Sequence, residues 1–144
     1  METAEFYKEE IRCGWRVDEK TKRIWAVQLE MLDEVERICK KYGLKYFADS
    51  GTLIGAVRHQ GYIPWDDDID LAMLREDYET FLKVAPGELK EHLVLQTPYR
   101  EKNYLRAHAQ LRNSRTTGCS REDRKAGYNC GIFIDIFPLD AMPE

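Results

Sequence analysis

Four aspartates stand within five residues: Asp66, Asp67, Asp68 and Asp70. A run of acids usually marks a solvated turn. Two features point elsewhere. The cluster leads into an alternating stretch in which Asp68, Asp70 and Ala72 face one way and Ile69, Leu71 and Met73 the other. That pattern predicts a strand with one buried apolar face, an element that disfavours aspartate. Asp68 and Asp70 then share a face, about 7 Å apart along the strand. Like charges held that close are costly unless a cation neutralises them. Carboxylate oxygens suit a hard divalent ion, Mg²⁺ or Mn²⁺. Asp135 is the third candidate, because Ile134 and Ile136 flank it and would bury it alone. Three carboxylates on adjacent strands would hold one or two metals of the kind used in phosphoryl transfer. Residue type and spacing are equally compatible with separate structural roles.

The complementary half is Ser50-Gly51-Thr52, which follows a short aromatic strand candidate at 45–49 and opens a short helix. Small residues at such a turn leave backbone N–H groups free to meet an anion. Metal-binding carboxylates and an anion cradle together suit a nucleotide di- or triphosphate. Arg58 and His59 lie between the turn and the acidic strand, as phosphate contacts or as a solvated helix end. Trp65 adjoins the cluster and is placed either to stack on a base or quaternary ammonium or to pack at the strand's entry. Arg112 and Arg115 stand at the head of a polar stretch read as a loop, either solvated or reaching for phosphate.

The elements that must position these residues follow from periodicity. Ile24, Val27, Met31, Val35, Ile38 and Tyr42 recur at helical steps, so 18–42 is predicted as an amphipathic helix, capped by Asp18 and ended by Gly43. Residues 59–66 read as a loop. Helical spacing resumes over 75–85, and Pro86-Gly87 is expected to stop it. Residues 92–97, 104–111 and 130–137 read as strands. In the second of these Arg106, His108 and Gln110 share a face that lines the cleft. The order of elements predicts an α+β domain with a small mixed β-sheet flanked by helices.

Composition narrows the class. Bases number 22 and acids 26, a net charge of −4, which argues against a nucleic-acid partner. No apolar run approaches the length of a membrane span, and the opening residues lack the apolar core of a secretory signal. A cytoplasmic domain with reduced Cys13, Cys39, Cys119 and Cys130 is expected. None of the four sits in a Cys-x-x-Cys pair, so zinc is poorly supported.

The stretches FADSGTLIGAVRH (47–59) and GYIPWDDDID (61–70) resemble the signature of the LicD family, and DIFPLD (135–140) resembles a second block of it. The resemblance runs over residues 20–144. It implies a nucleotidyltransferase-like fold, with Gly51-Thr52 as the turn, Asp68-Ile69-Asp70 as the paired carboxylates and Asp135 as the third. Threonine at the second turn position departs mildly from the usual Gly or Ser. The resemblance further implies a metal-dependent transfer of phosphocholine or a related phospho-alcohol from CDP-choline or another CDP-alcohol. The acceptor would be a glycan such as teichoic acid or lipopolysaccharide, and CMP would leave. Members usually run longer, so residues 1–144 are expected to form one domain without the family's C-terminal half. Two other readings are carried: nucleotidyl transfer to a small hydroxylated substrate with release of pyrophosphate, and a non-catalytic nucleotide-binding module.

Overall fold

The computed structural model describes residues 4–118 and 120–142. A short hairpin opens it: β1 (Glu10–Arg12) pairs antiparallel with β2 (Trp15–Val17). Its two-residue loop, Cys13-Gly14, has φ of 52° and 74°, as a type I′ turn requires. Helix α1 (Glu19–Tyr42) follows as the periodicity predicts. Asp18 accepts from the Thr21 N–H at its start, and Gly43 closes it at φ 69°, donating to the Cys39 carbonyl. Then come β3 (Phe47–Ala48), α2 (Ser50–Arg58), β4 (Asp70–Leu74), α3 (Arg75–Glu88), β5 (Leu93–Gln96), β6 (Ala109–Asn113), α4 (Arg121–Ala126) and β7 (Ile132–Leu139).

Five strands form one mixed sheet in the order β3-β4-β7-β6-β5. Only the β4–β7 pair is parallel. The register makes the two faces different. Leu71, Ile136 and Ala109 align across three strands, as do Ile134, Leu111 and Leu95 across another three. These residues face α1 and α3 and share a core with Met31, Val35, Ile38, Phe81 and Ala85. Each such side chain contributes roughly 1.5–3 kcal/mol when fully buried. The opposite face carries a polar row, Asp70–Asp135–Gln110–Gln96, one residue from each of four neighbouring strands. The α+β architecture with a small mixed sheet is as expected.

Four local expectations are corrected. The acidic strand begins at Asp70, so Asp68 lies in the approach to it rather than on its face. Pro86 sits within the last turn of α3, which runs on to Glu88; the Leu89 N–H reaches the Ala85 carbonyl and closes the end. The strand predicted over 104–111 starts only at Ala109. Leu105 is 94% exposed, and the Tyr104 hydroxyl donates to the His108 carbonyl, so 104–108 is a tied-down turn. Arg112 belongs to β6, and the polar stretch beyond it contains α4. Cys13 and Cys39 are free thiols; Cys119 lies outside the described residues. Among the described residues no helix is long and apolar enough to cross a membrane.

Candidate active site

The acidic loop is held from beneath by α1. The Trp25 indole donates to the Asp66 carbonyl at 2.9 Å, and the Gln28 amide to the Asp67 carbonyl at 2.7 Å. Tyr62 stacks flat on Trp25 with centroids 4.5 Å apart and donates its hydroxyl to Gln28. These bonds fix the backbone from which the aspartates project. Neither Trp25 nor Gln28 belongs to the apolar periodicity that predicts the helix, and nothing local marks them as supports.

Asp70 opens β4 and pairs directly with Asp135 on β7. Partners in a parallel pair point to the same face, so the two carboxylates stand side by side. Burial, then Asp135, Asp49 and Asp66, push the Asp70 carboxyl above its usual range, and His108 opposes them. Asp68 rises further, to about 6, through burial first and then through Asp70 and Asp66. One carboxylate oxygen from each of Asp66, Asp67 and Asp68 lies within 4.8 Å of the other two. Among the described residues that is the one such group of three. Asp68, Asp70 and Asp135 therefore do not converge within that span, but they form a single electrostatic cluster. Asp67, in the tight group, and Asp49, beside Asp70, were not singled out from sequence.

The donor set fits a hard divalent cation. It is all oxygen, negative, and destabilised by its own repulsion. Asp66, Asp67 and Asp68 are close enough to share such an ion, and Asp70 with Asp135, side by side on β4 and β7, could hold one beside it.

Ser50, Gly51 and Thr52 form the first turn of α2, where N–H groups are unsatisfied. Asp49 occupies the N-cap position but makes no side-chain cap bond. The Thr52 hydroxyl accepts from the Asp70 N–H at 2.8 Å, and the Asp49 N–H donates to the Asp70 carbonyl. The turn and the acidic strand are thus tied to each other. A Cβ at Gly51 would come 2.5 Å from Asp66 Oδ2, so any larger residue there displaces that carboxylate.

Other candidates fall elsewhere. Arg58 is exposed at the far end of α2, about 12 Å along the axis from Ser50, and donates to His59. His59 accepts from Arg12 through its carbonyl and sits edge-on to Trp65, which is 53% exposed and also meets Trp15. Core packing is thereby excluded for Trp65. Arg112 is wholly buried and cannot meet a phosphate in solvent; its position within β6 turns it under the polar face. Arg115 lies beyond β6, in a turn. Arg106 donates to Asp123 and Tyr128 and does not line the acidic cluster. His108 and Gln110 do, each contacting Asp135 Oδ1, at 2.9 and 2.8 Å.

Two cavities flank Asp68. One, of about 140 Å³, is mainly apolar and reaches Tyr62, Ile63, Ala56, Thr52 and Asp66. The other, of about 690 Å³, lies between Lys20 and Arg23 of α1 and residues 116–118.

The sequence model of the family described as LicD/FKTN/FKRP, nucleotidyltransferase domain, matches residues 43–142. The chain is 38% identical to the lipopolysaccharide cholinephosphotransferase LicD of Haemophilus influenzae over 119 residues, which are 82% of this chain and 43% of that protein. Over 35 residues, 24% of this chain and 7% of the relative, it is 49% identical to the human ribitol 5-phosphate transferase FKRP. The chain spans less than half the length of these relatives. With the family's match extending over the turn, the acidic strand and Asp135, the chain belongs to the LicD family.

Proposed function

We propose that this chain builds the donor site of a metal-dependent phosphotransferase, which moves phosphocholine or a related phospho-alcohol from a CDP-activated donor to a sugar hydroxyl of a surface glycan. The observation that carries the reading is the pairing of Asp70 with Asp135 in register, beside a helix N-terminus tied to the same strand through Thr52. A carboxylate cluster and an anion-binding turn in contact suit a pyrophosphate. The lipopolysaccharide cholinephosphotransferase relative favours phosphocholine as the group and lipopolysaccharide over teichoic acid as the acceptor.

In the reaction proposed, the acceptor hydroxyl oxygen bonds to the phosphorus that bears the alcohol. The bond from that phosphorus to the bridging oxygen breaks, CMP leaves, and the hydroxyl proton passes to a base or to water. Bound Mg²⁺ or Mn²⁺ would supply charge neutralisation for the pyrophosphate and the leaving CMP. The protein's own parts have separable tasks. The first turn of α2 offers N–H groups at Gly51 and Thr52 to a phosphate oxygen. Asp68, Asp70 and Asp135 hold negative charge on one side of it. Trp25 and Gln28 keep the acidic loop from collapsing. The cavity at Tyr62 has room and negative charge for a small organic cation such as a choline head group.

The test is product identity. Incubation with CDP-choline, Mg²⁺ and a lipopolysaccharide acceptor should release CMP. Pyrophosphate from a nucleoside triphosphate and a small alcohol would instead select nucleotidyl transfer, and binding without turnover would select a non-catalytic module.

A further inference from the structure

Arg112 has no place in the donor site as a phosphate ligand, yet a wholly buried guanidinium needs a reason. Its bonds supply one. Nη1 donates to the Gly131 carbonyl at 2.9 Å, and Nη2 donates to Gln110 Oε1 at 2.7 Å. Nη2 also lies 3.3 Å from Asp123 Oδ2. Phe133 covers the guanidinium at 4.6 Å. Gln110, itself buried, passes the contact on through Nε2 to Asp135 Oδ1 at 2.8 Å. Asp123 is held in turn by Arg106 and Tyr128.

The direction of this chain is forced. A guanidinium only donates and a carboxylate only accepts. Gln110 must therefore turn its oxygen to Arg112 and its NH₂ to Asp135; the flipped amide would lose both bonds. Both contacts to Asp135, from Gln110 and from His108, fall on Oδ1. Among the described residues no hydrogen bond reaches Oδ2.

We propose that Gln110, with its amide oriented by Arg112, is a positioning residue that ties Asp135 by one oxygen and presents the other beside Asp70 for cation binding. The proposal rests on the metal-site reading above and adds residues to it. The Asp123 carboxylate balances the Arg112 charge, so Gln110 orients Asp135 without adding positive charge beside the cation site. Outer hydrogen bonds of this kind typically alter metal affinity by about 10–100-fold.

The experiment titrates the protein with Mn²⁺ and follows free and bound ion by electron paramagnetic resonance, alongside thermal melting in EDTA. Gln110→Met keeps the volume and removes both bonds. It should weaken Mn²⁺ binding about tenfold or more and broaden the bound-ion spectrum; the metal-free melting temperature falls because the buried Arg112 Nη2 loses its acceptor, so binding is compared at a temperature where both proteins are folded. If that variant does not fold, Gln110→Asn, which retains the amide but withdraws it from Asp135, should show the same loss. Asp70→Asn and Asp135→Asn separate the two claims. If they weaken Mn²⁺ binding while a folded Gln110 variant binds like the parent, the positioning role is overturned and the metal site stands. If the parent binds no Mn²⁺, or neither aspartate variant weakens its binding, both are overturned.

Discussion

Asp68→Asn should stabilise the metal-free protein at neutral pH, although it removes a residue of the candidate site. The folded Asp68 carboxyl titrates at about 6 against an ordinary 3.8, because it is half-buried and faces Asp70 and Asp66. The folded state thus binds this proton more tightly than the unfolded chain does. Stability from this group is greatest below pH 4, falls as pH rises from 4 to 6, and stays low above that. The full rise corresponds to about 3 kcal/mol at pH 7. Water screens a half-exposed group and Asp70 relaxes when its neighbour is neutral, so about 1–2 kcal/mol is expected. Urea denaturation in EDTA at pH 4, 5, 6 and 7.5 measures it. The variant's advantage should be near zero at pH 4 and grow to a plateau by pH 7.5, and Mg²⁺ should shrink it by stabilising the parent. An advantage independent of pH, or a variant less stable than the parent at pH 7.5, would refute the electrostatic argument.

Further outcomes follow from the same geometry. Asp70→Asn should abolish CMP release while leaving the melting temperature in EDTA equal or higher; parallel loss of both would mark Asp70 as structural. Gly51→Ala places a methyl carbon 2.5 Å from Asp66 Oδ2, which the side chain relieves by moving. The protein should fold normally, yet bind CDP-choline at least about tenfold more weakly, about 1.4 kcal/mol by calorimetry. Gly131→Ala differs in kind. Its Cβ would meet the Asn113 carbonyl oxygen at 2.0 Å, a backbone atom fixed in β6, so a loss of about 3–5 kcal/mol is expected in urea denaturation.

What sequence reveals here divides by range. Helix α1 was legible because its signals are local: a cap at Asp18, a 3.6-residue period and a glycine stop. Asp135 was legible as a group in need of partners because isoleucines flank it; the structure supplies His108 and Gln110, and the register sets Asp70 beside it. The 104–111 strand was misread because alternation of Leu105, Ala107, Ala109 and Leu111 is local coincidence; Leu105 never meets the sheet. Arg112 was misread because its burial depends on Asp123 and Gln110 arriving from either side, a long-range fact. Two signals were present and missed. Ser120 lies three residues before Asp123 and caps α4, and Cys13-Gly14 is a plausible two-residue hairpin loop. The roles of Trp25 and Gln28 could not be read locally, since each acts on a backbone carbonyl some forty residues away.

The central claim, a divalent-dependent site for a CDP-activated donor, is tested most directly by calorimetric titration of CDP-choline into the parent and Asp70→Asn proteins, each with Mg²⁺ and with EDTA. The account predicts saturable heat for the parent in Mg²⁺ alone, with little or none in EDTA or in the variant. Equal binding in Mg²⁺ and EDTA, or no binding by the parent under either condition, would contradict it.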